Sequence, residues 1–328
     1  MKLSRLAAAA SLLVALVAPA MAQSDAGAPD AKLPVVASFS ILGDLVKNVG
    51  GDRVAVSTLV GADGDAHVFQ PAPADAKKVA AAKVVFVNGL GFEGWMERLA
   101  KSSGTKAAIV VASKGVEARD MEEEGHDHAD DHAKGDGHDH DHDKQAHAGH
   151  DHGATDPHAW QSVGNAEIYV ANIRDGLIAA DPAGKASYEA NAAAYLSKLQ
   201  ALDAEIKAAV ARIPADKRRV ITSHDAFGYF EGAYGLEFIA PQGVSTESEA
   251  SAKDVARIIR QIKAEKIPAV FMENISDPRL IKRIADETGA KIGGTVFSDA
   301  LSDDKGPAAT YIDMMQNNIR EFSAALSS

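Results

Sequence analysis

The chain contains 12 histidines and no cysteine, so any metal or acid–base chemistry it performs must be built from imidazole and carboxylate groups. Three histidines stand apart from the rest. His67 lies in Gly64-Asp65-Ala66-His67-Val68-Phe69-Gln70-Pro71, His158 in Asp156-Pro157-His158-Ala159-Trp160, and His224 in Ser223-His224-Asp225-Ala226-Phe227. Each sits where an apolar run ends or a loop begins. Any one of them alone reads as a hydrogen-bonded structural histidine. Three at loop mouths favour a metal site, because neutral imidazole is the commonest nitrogen ligand of zinc. Free imidazole titrates at about 6.5, which predicts that protons displace bound metal below about pH 6.

The segments that must position these residues alternate in character. Runs 33–39, 53–60, 83–87 and 107–111 read as buried strands, separated by helical stretches at 41–49, 73–82 and 92–102. A helical pattern over 165–179 follows, and then Tyr188, Ala192, Tyr195, Leu199, Leu202, Ile206, Val210 and Ile213 recur at steps of three and four. This spacing predicts one helix of about 30 residues, starting after Asp181-Pro182 and ended by Pro214. Strands are expected again at 219–222, 237–240, 269–272 and 291–296, with helices near 226–234, 252–266, 278–288 and 308–326. Such alternation implies an α/β protein with a parallel sheet in each half, covered by helices on both faces. In open sheets of this kind ligands bind outside the carboxyl ends of the strands, so two lobes joined by a spine helix would share a site in the cleft between them.

The other nine histidines, His126, His128, His132, His138, His140, His142, His147, His150 and His152, crowd into one stretch. From Met121 to Gly153 it also holds eleven acidic residues and two lysines, with no aromatic or β-branched residue. A sequence of this kind cannot bury apolar surface and is expected to be a mobile loop inside the first lobe. Its repeated His-Asp-His units suit weak binding of several divalent ions, in a scavenging, delivery or sensing role.

At the start of the chain Lys2 and Arg5 precede an apolar run over 6–18, and Ala20-Met21-Ala22 has the small-residue pattern of a cleavage site. These features predict a Sec-type signal peptide over 1–22, which places the mature chain in the periplasm. The lack of cysteine speaks against a lipid-anchored form, and no later run reaches the 18 apolar residues of a spanning helix. The balance of 46 acidic against 34 basic residues, a net charge of −12, argues against general affinity for nucleic acid or anionic membrane surfaces. The expected organisation is signal peptide 1–22, an N-terminal β/α lobe 23–162 carrying the loop 121–153, a helical linker 163–214 and a C-terminal β/α lobe 215–328.

The order His67, Asp-Pro-His158-Ala-Trp, Ser-His224-Asp-Ala-Phe and Phe-Ser-Asp299-Ala-Leu-Ser resembles the ZnuA-like zinc and manganese substrate-binding proteins of bacterial ABC importers. Asn88-Gly89-Leu90-Gly91-Phe92-Glu93 and the histidine-rich insertion belong to the same likeness, which covers the whole mature chain; the family's usual proline before the first ligand is Ala66 here. The resemblance implies two Rossmann-like β/α lobes joined by a rigid helix, with metal held between them by His67, His158, His224 and Asp299. The expected role is that of a monomer that hands its metal to a permease and an ATPase on separate chains, since this sequence has neither a phosphate loop nor a spanning helix, and the histidine-rich loop is suited to a periplasmic zinc chaperone as a further partner. Without the likeness, Asp299 would read as one cap or loop residue among Ser298, Ser302, Asp303 and Asp304. Glu93 and Asp225 read as supporting or solvated carboxylates. Three imidazoles and one carboxylate suit Zn²⁺, whereas manganese prefers more oxygen, and manganese members of the family carry glutamate where this chain has His224. A zinc hydrolase is the competing class. The sequence contains no His-Glu-x-x-His, Gly-x-Ser-x-Gly or phosphate loop to support it.

Overall fold

The protein is represented by a computed structural model that describes residues 32–120 and 155–327. The expected signal peptide and the nine clustered histidines, His126 to His152, lie outside the described residues. In the first half the chain runs β1 (Leu33–Phe39), α1 (Ser40–Gly50), β2 (Val54–Val60), α2 (Pro73–Ala81), β3 (Val84–Val87), α3 (Met96–Ser103) and β4 (Ala108–Val111). These strands form a parallel sheet in the order β2-β1-β3-β4. After α4 (Val163–Ala180) and α5 (Lys185–Ala211) come β5 (Arg219–Ile221), α6 (Gly228–Tyr234), β6 (Glu237–Ile239), α7 (Ala252–Glu265), β7 (Ala269–Glu273), α8 (Pro278–Thr288), β8 (Lys291–Val296) and α9 (Tyr311–Leu326). The second sheet repeats the topology, β6-β5-β7-β8, again parallel.

The inner strands are apolar on both faces, as a sheet covered by helices requires, and β3, Val84-Val85-Phe86-Val87, is buried throughout. The edge strands β4 and β8, expected to be buried, instead leave Ile109, Val111 and Ile292 exposed, because an edge has a neighbour on one side only. Boundaries move where turns intervene. Arg53 is not in the second strand but closes a 3₁₀ turn after Gly51, which adopts φ +56°, and its guanidinium pairs with Asp181 at 2.9 Å. The third helix begins at Met96 rather than Phe92. Gly89, Leu90 and Gly91 all have positive φ, and the turn they make is held by the Glu93 carboxylate, which accepts the backbone N–H groups of Asn88 at 2.6 Å and Gly89 at 3.2 Å.

The long helix α5 has 27 residues, a length of about 40 Å at 1.5 Å per residue. Its buried stripe of Tyr188, Ala192, Tyr195, Leu199, Leu202, Ile206 and Val210 packs on α1 and α4 of the first half and on α6 and α9 of the second. The apolar core is continuous between the halves, and a smaller cluster lies under α7 and α8. Trp160 stitches the two together: its indole N–H donates to the carbonyl of Ser298 at 2.9 Å, and its own carbonyl accepts from the Tyr311 hydroxyl at 2.7 Å.

Helix α4 lies close against the first sheet at Gly176, where a Cβ would stand 2.9 Å from Val110 Cγ2 and 3.1 Å from Phe86 Cε1. Gly176→Val should therefore lower the stability of the metal-free protein by about 1–3 kcal/mol through overpacking. The expected reading is a lower urea midpoint with an unchanged slope; a wild-type midpoint would mean that the helix has room to move away.

Candidate metal centre

Four loops at the carboxyl ends of strands converge between the sheets. His67 follows β2 on a turn that Asp65 closes, its Oδ1 accepting the backbone N–H of His67 at 2.9 Å, as an aspartate two residues upstream commonly does. The carbonyl of Ala66 accepts from the Trp95 indole at 2.8 Å, and the edge of the His67 ring meets Phe92. His158 repeats the device. Asp156 Oδ1 accepts its backbone N–H at 2.9 Å and stands 2.8 Å from its Nδ1. His224 follows β5, and Glu273, the last residue of β7, reaches across: Oε1 accepts the backbone N–H groups of Ser223 at 2.6 Å and His224 at 2.9 Å. The other carboxylate oxygen, Oε2, lies 2.5 Å from His224 Nδ1. Asp299 follows β8. The preceding carbonyl, of Ser298, is pinned by both Trp160 and the Gln161 side-chain amide at 2.7 Å.

All four side chains turn inward, and one ligand-type atom from each lies within 4.8 Å of the others. The Nε2 atoms of His67 and His158 are 3.3 Å apart. Asp299 Oδ2 lies 3.2 Å from His67 Nε2 and 3.1 Å from His224 Nε2, while Oδ1 is 3.4 Å from His158 Nε2. His158, His224 and Asp299 are fully buried; His67 is 8% exposed and borders a pocket of about 450 Å³ that it shares with Leu90, Phe92, Pro157 and Val244. Asp299 Oδ1 is buried without a hydrogen-bond donor, a costly state that a cation would relieve.

The electrostatics point the same way. Burial opposes charge on His158, but Asp299 and Asp156 outweigh it and push its pKa up to about 9. His224 is raised well above the ordinary imidazole value because Glu273 and Asp299 outweigh its burial. The buried Asp299 is nevertheless held well below the usual carboxylate range by His158 and His224. The carboxylates around them thus favour the charged forms of His158 and His224. With metal, Nδ1–H of His158 and His224 faces a carboxylate, which directs each Nε2 lone pair to the centre.

The structure thus brings together the four residues singled out in the sequence. Glu93 is half-buried and supports the turn beside the site, accepting from Ser38 Oγ at 2.5 Å. Asp225 stands outside the cluster with its pKa raised to about 6, chiefly by burial. Sequence reasoning missed the two carboxylates that orient the rings. Asp156 stood inside a quoted motif, and Glu273 carried a signal of its own, a lone charge ending the apolar run Ala269-Val270-Phe271-Met272.

Residues 35–325 match the family model described as the periplasmic component A of the zinc-uptake complex, ZnuA. The chain belongs to the ZnuA family. Among its relatives, the manganese ABC transporter substrate-binding lipoprotein PsaA of Streptococcus pneumoniae is 32% identical over 99% of this chain and 98% of its own length. The iron-binding protein YfeA of Yersinia pestis is 32% identical over 92% of this chain and 88% of its own. The solved periplasmic zinc-binding protein TroA of Treponema pallidum is 28% identical, with a TM-score of 0.79 over 91% of this chain and 100% of the other. This ZnuA-family chain is therefore a metal-binding component of an ABC transporter and not an enzyme. Among the described residues no helix is long and apolar enough to cross a membrane.

Two outcomes follow from the ring environment. Glu273→Gln should weaken metal binding about 10- to 100-fold, the usual effect of losing a carboxylate behind a ligating imidazole; unchanged affinity in a competition titration would remove Glu273 from the site. The second concerns pH, where the environment shifts the window upward from that of free imidazole. Because the folded pKa of His158, about 9, exceeds the ordinary 6.5, its proton stabilises the metal-free fold fully below the lower value, and that contribution is lost as pH rises through the upper one. Metal must displace this proton, so apparent affinity should climb across the same window. Calorimetry in buffers of different ionisation enthalpy should register proton release on metal binding at about pH 7; no release would contradict the assignment.

Proposed function

We propose that this chain is a free periplasmic zinc-binding protein, which captures Zn²⁺ at His67, His158, His224 and Asp299 and delivers it to an inner-membrane permease driven by a separate ATPase. The observation that carries the reading is the nitrogen-rich donor set itself. Three imidazoles and a single carboxylate suit zinc, while manganese favours oxygen. The four ligand-type atoms lie within 4.8 Å of one another, close enough for a single ion to reach all of them.

Relatives named as lipoproteins differ from this sequence in one chemical respect, since it has no cysteine to carry a lipid. We therefore read it as a monomer free in the periplasm after loss of residues 1–22. The nine histidines between His126 and His152 serve in this reading as weak auxiliary sites that hold several ions or accept them from a zinc chaperone. Capture, rearrangement, docking and release make up the cycle.

The test is metal analysis of the full chain and of a variant lacking residues 121–153, each equilibrated with Zn²⁺ and Mn²⁺ together. The full chain should hold one tight Zn²⁺ and further weak ions, and the shortened chain the tight one alone. Preferential retention of Mn²⁺ would favour a manganese carrier, and loss of tight binding in the shortened chain would move the primary site.

A further inference from the structure

Between β6 and α7, residues 240–251 pass from His224 to the turn that carries His67 and on to α7. At their start Gln242 forms a backbone bridge with His224, and the carbonyl of Gly243 accepts from the backbone N–H of Asp225 at 3.3 Å. Their end is capped onto α7, where Ser251 Oγ accepts the N–H of Asp254. In between, Val244, Ser245 and Glu247 line the pocket that opens on His67. The Thr246 hydroxyl donates to Asp65 Oδ2 at 2.6 Å. The other oxygen of that carboxylate accepts the backbone N–H of His67.

We propose that residues 240–251 act as a strap across the mouth of the site, and that Thr246, through Asp65, is a positioning residue that sets how fast metal is exchanged at His67. Among the described residues the Thr246–Asp65 bond is the one hydrogen bond from the strap to the half of the chain that carries His67. Two open pockets border the segment, one of about 450 Å³ lined by Val244, Ser245 and Glu247, and one of about 440 Å³ lined by Gln242, Thr246 and Glu249. A strap bordered by open pockets and held by one cross-tie is suited to swing when the tie breaks. His67 is the ligand it would expose. Its ring borders the pocket, whereas the His158 and His224 rings are fully buried and backed by Asp156 and Glu273. Breaking the tie frees the turn that presents His67 and leaves the other three groups in place, so exchange rates change in both directions more than affinity does.

The inference rests on the reading of this cluster as the metal site, and the experiment separates the two. Full-length protein is loaded with Co²⁺, its visible spectrum recorded, and uptake and release followed by stopped flow, with excess EDTA for release, in wild type, Thr246→Val and Thr246→Ser. Thr246→Val keeps the shape and loses the hydroxyl; it should speed both uptake and release about fivefold, the scale of one hydrogen bond, with the Co²⁺ spectrum unchanged. Thr246→Ser keeps the hydroxyl and should restore wild-type rates. Wild-type rates in Thr246→Val would overturn the proposal, as would a spectrum altered together with the rate, which would put Thr246 in the ligand geometry. A wild type without a four-coordinate Co²⁺ spectrum would instead overturn the reading of the site.

Discussion

Asp299 is a fully buried carboxylate at the meeting point of three imidazoles, and its charge is the constraint around which the protein is arranged. An ionised carboxylate taken out of water is strongly disfavoured unless positive charge and hydrogen-bond donors come with it. Here the compensation is supplied by rings that are themselves backed by Asp156 and Glu273, so the centre holds more negative groups than neutral imidazoles can balance. Two occupants satisfy it, protons on the imidazoles or a divalent cation among them. Either occupant would spare the site a bare buried charge.

The fold delivers this arrangement by a rule of open parallel sheets, that the loops after strands converge at one edge. Each sheet contributes from its own carboxyl ends: β2 leads to His67, β5 to His224, β8 to Asp299, and Glu273 closes β7. His158 comes from the connection before α4, beside Trp160, whose indole holds the backbone next to Asp299. The centre therefore exists only when both sheets are seated on α5 and on one another. The apolar core is continuous between them, so the loops that carry the four side chains share one packed base.

Relatives on this fold carry names that refer to manganese, iron and zinc. Fold alone does not choose the metal. What differs from one metal to another is the donor set and its support, and here two of three imidazoles have a carboxylate fixing the tautomer while His67, at the pocket, is held chiefly through its backbone by Asp65. Two imidazoles of the cluster are thus fixed from behind by carboxylates, and the third borders the pocket.

Much of this was legible in the order of residues. Strand 33–39 and helix 278–288 appear in the structure with their expected bounds, because apolar periodicity and caps such as Asp277-Pro278 are local properties of the chain. His67, His158 and His224 announced themselves by residue type at the ends of apolar runs. Where boundaries moved, as at Arg53 and Met96, the cause was a partner distant in sequence or a carboxylate folding back on a turn, Asp181 in one case and Glu93 in the other. Asp299 could be chosen over Ser298, Ser302 or Asp303 only through a family likeness; Glu273 showed itself only as a charge ending an apolar run, without its partner, and Thr246 by no signal at all. Glu273 lies 49 positions from His224, and Thr246 181 from Asp65. Residue types determined which chemistry was possible; which carboxylate faces which ring is a long-range contact, and only the packing of two sheets decides it.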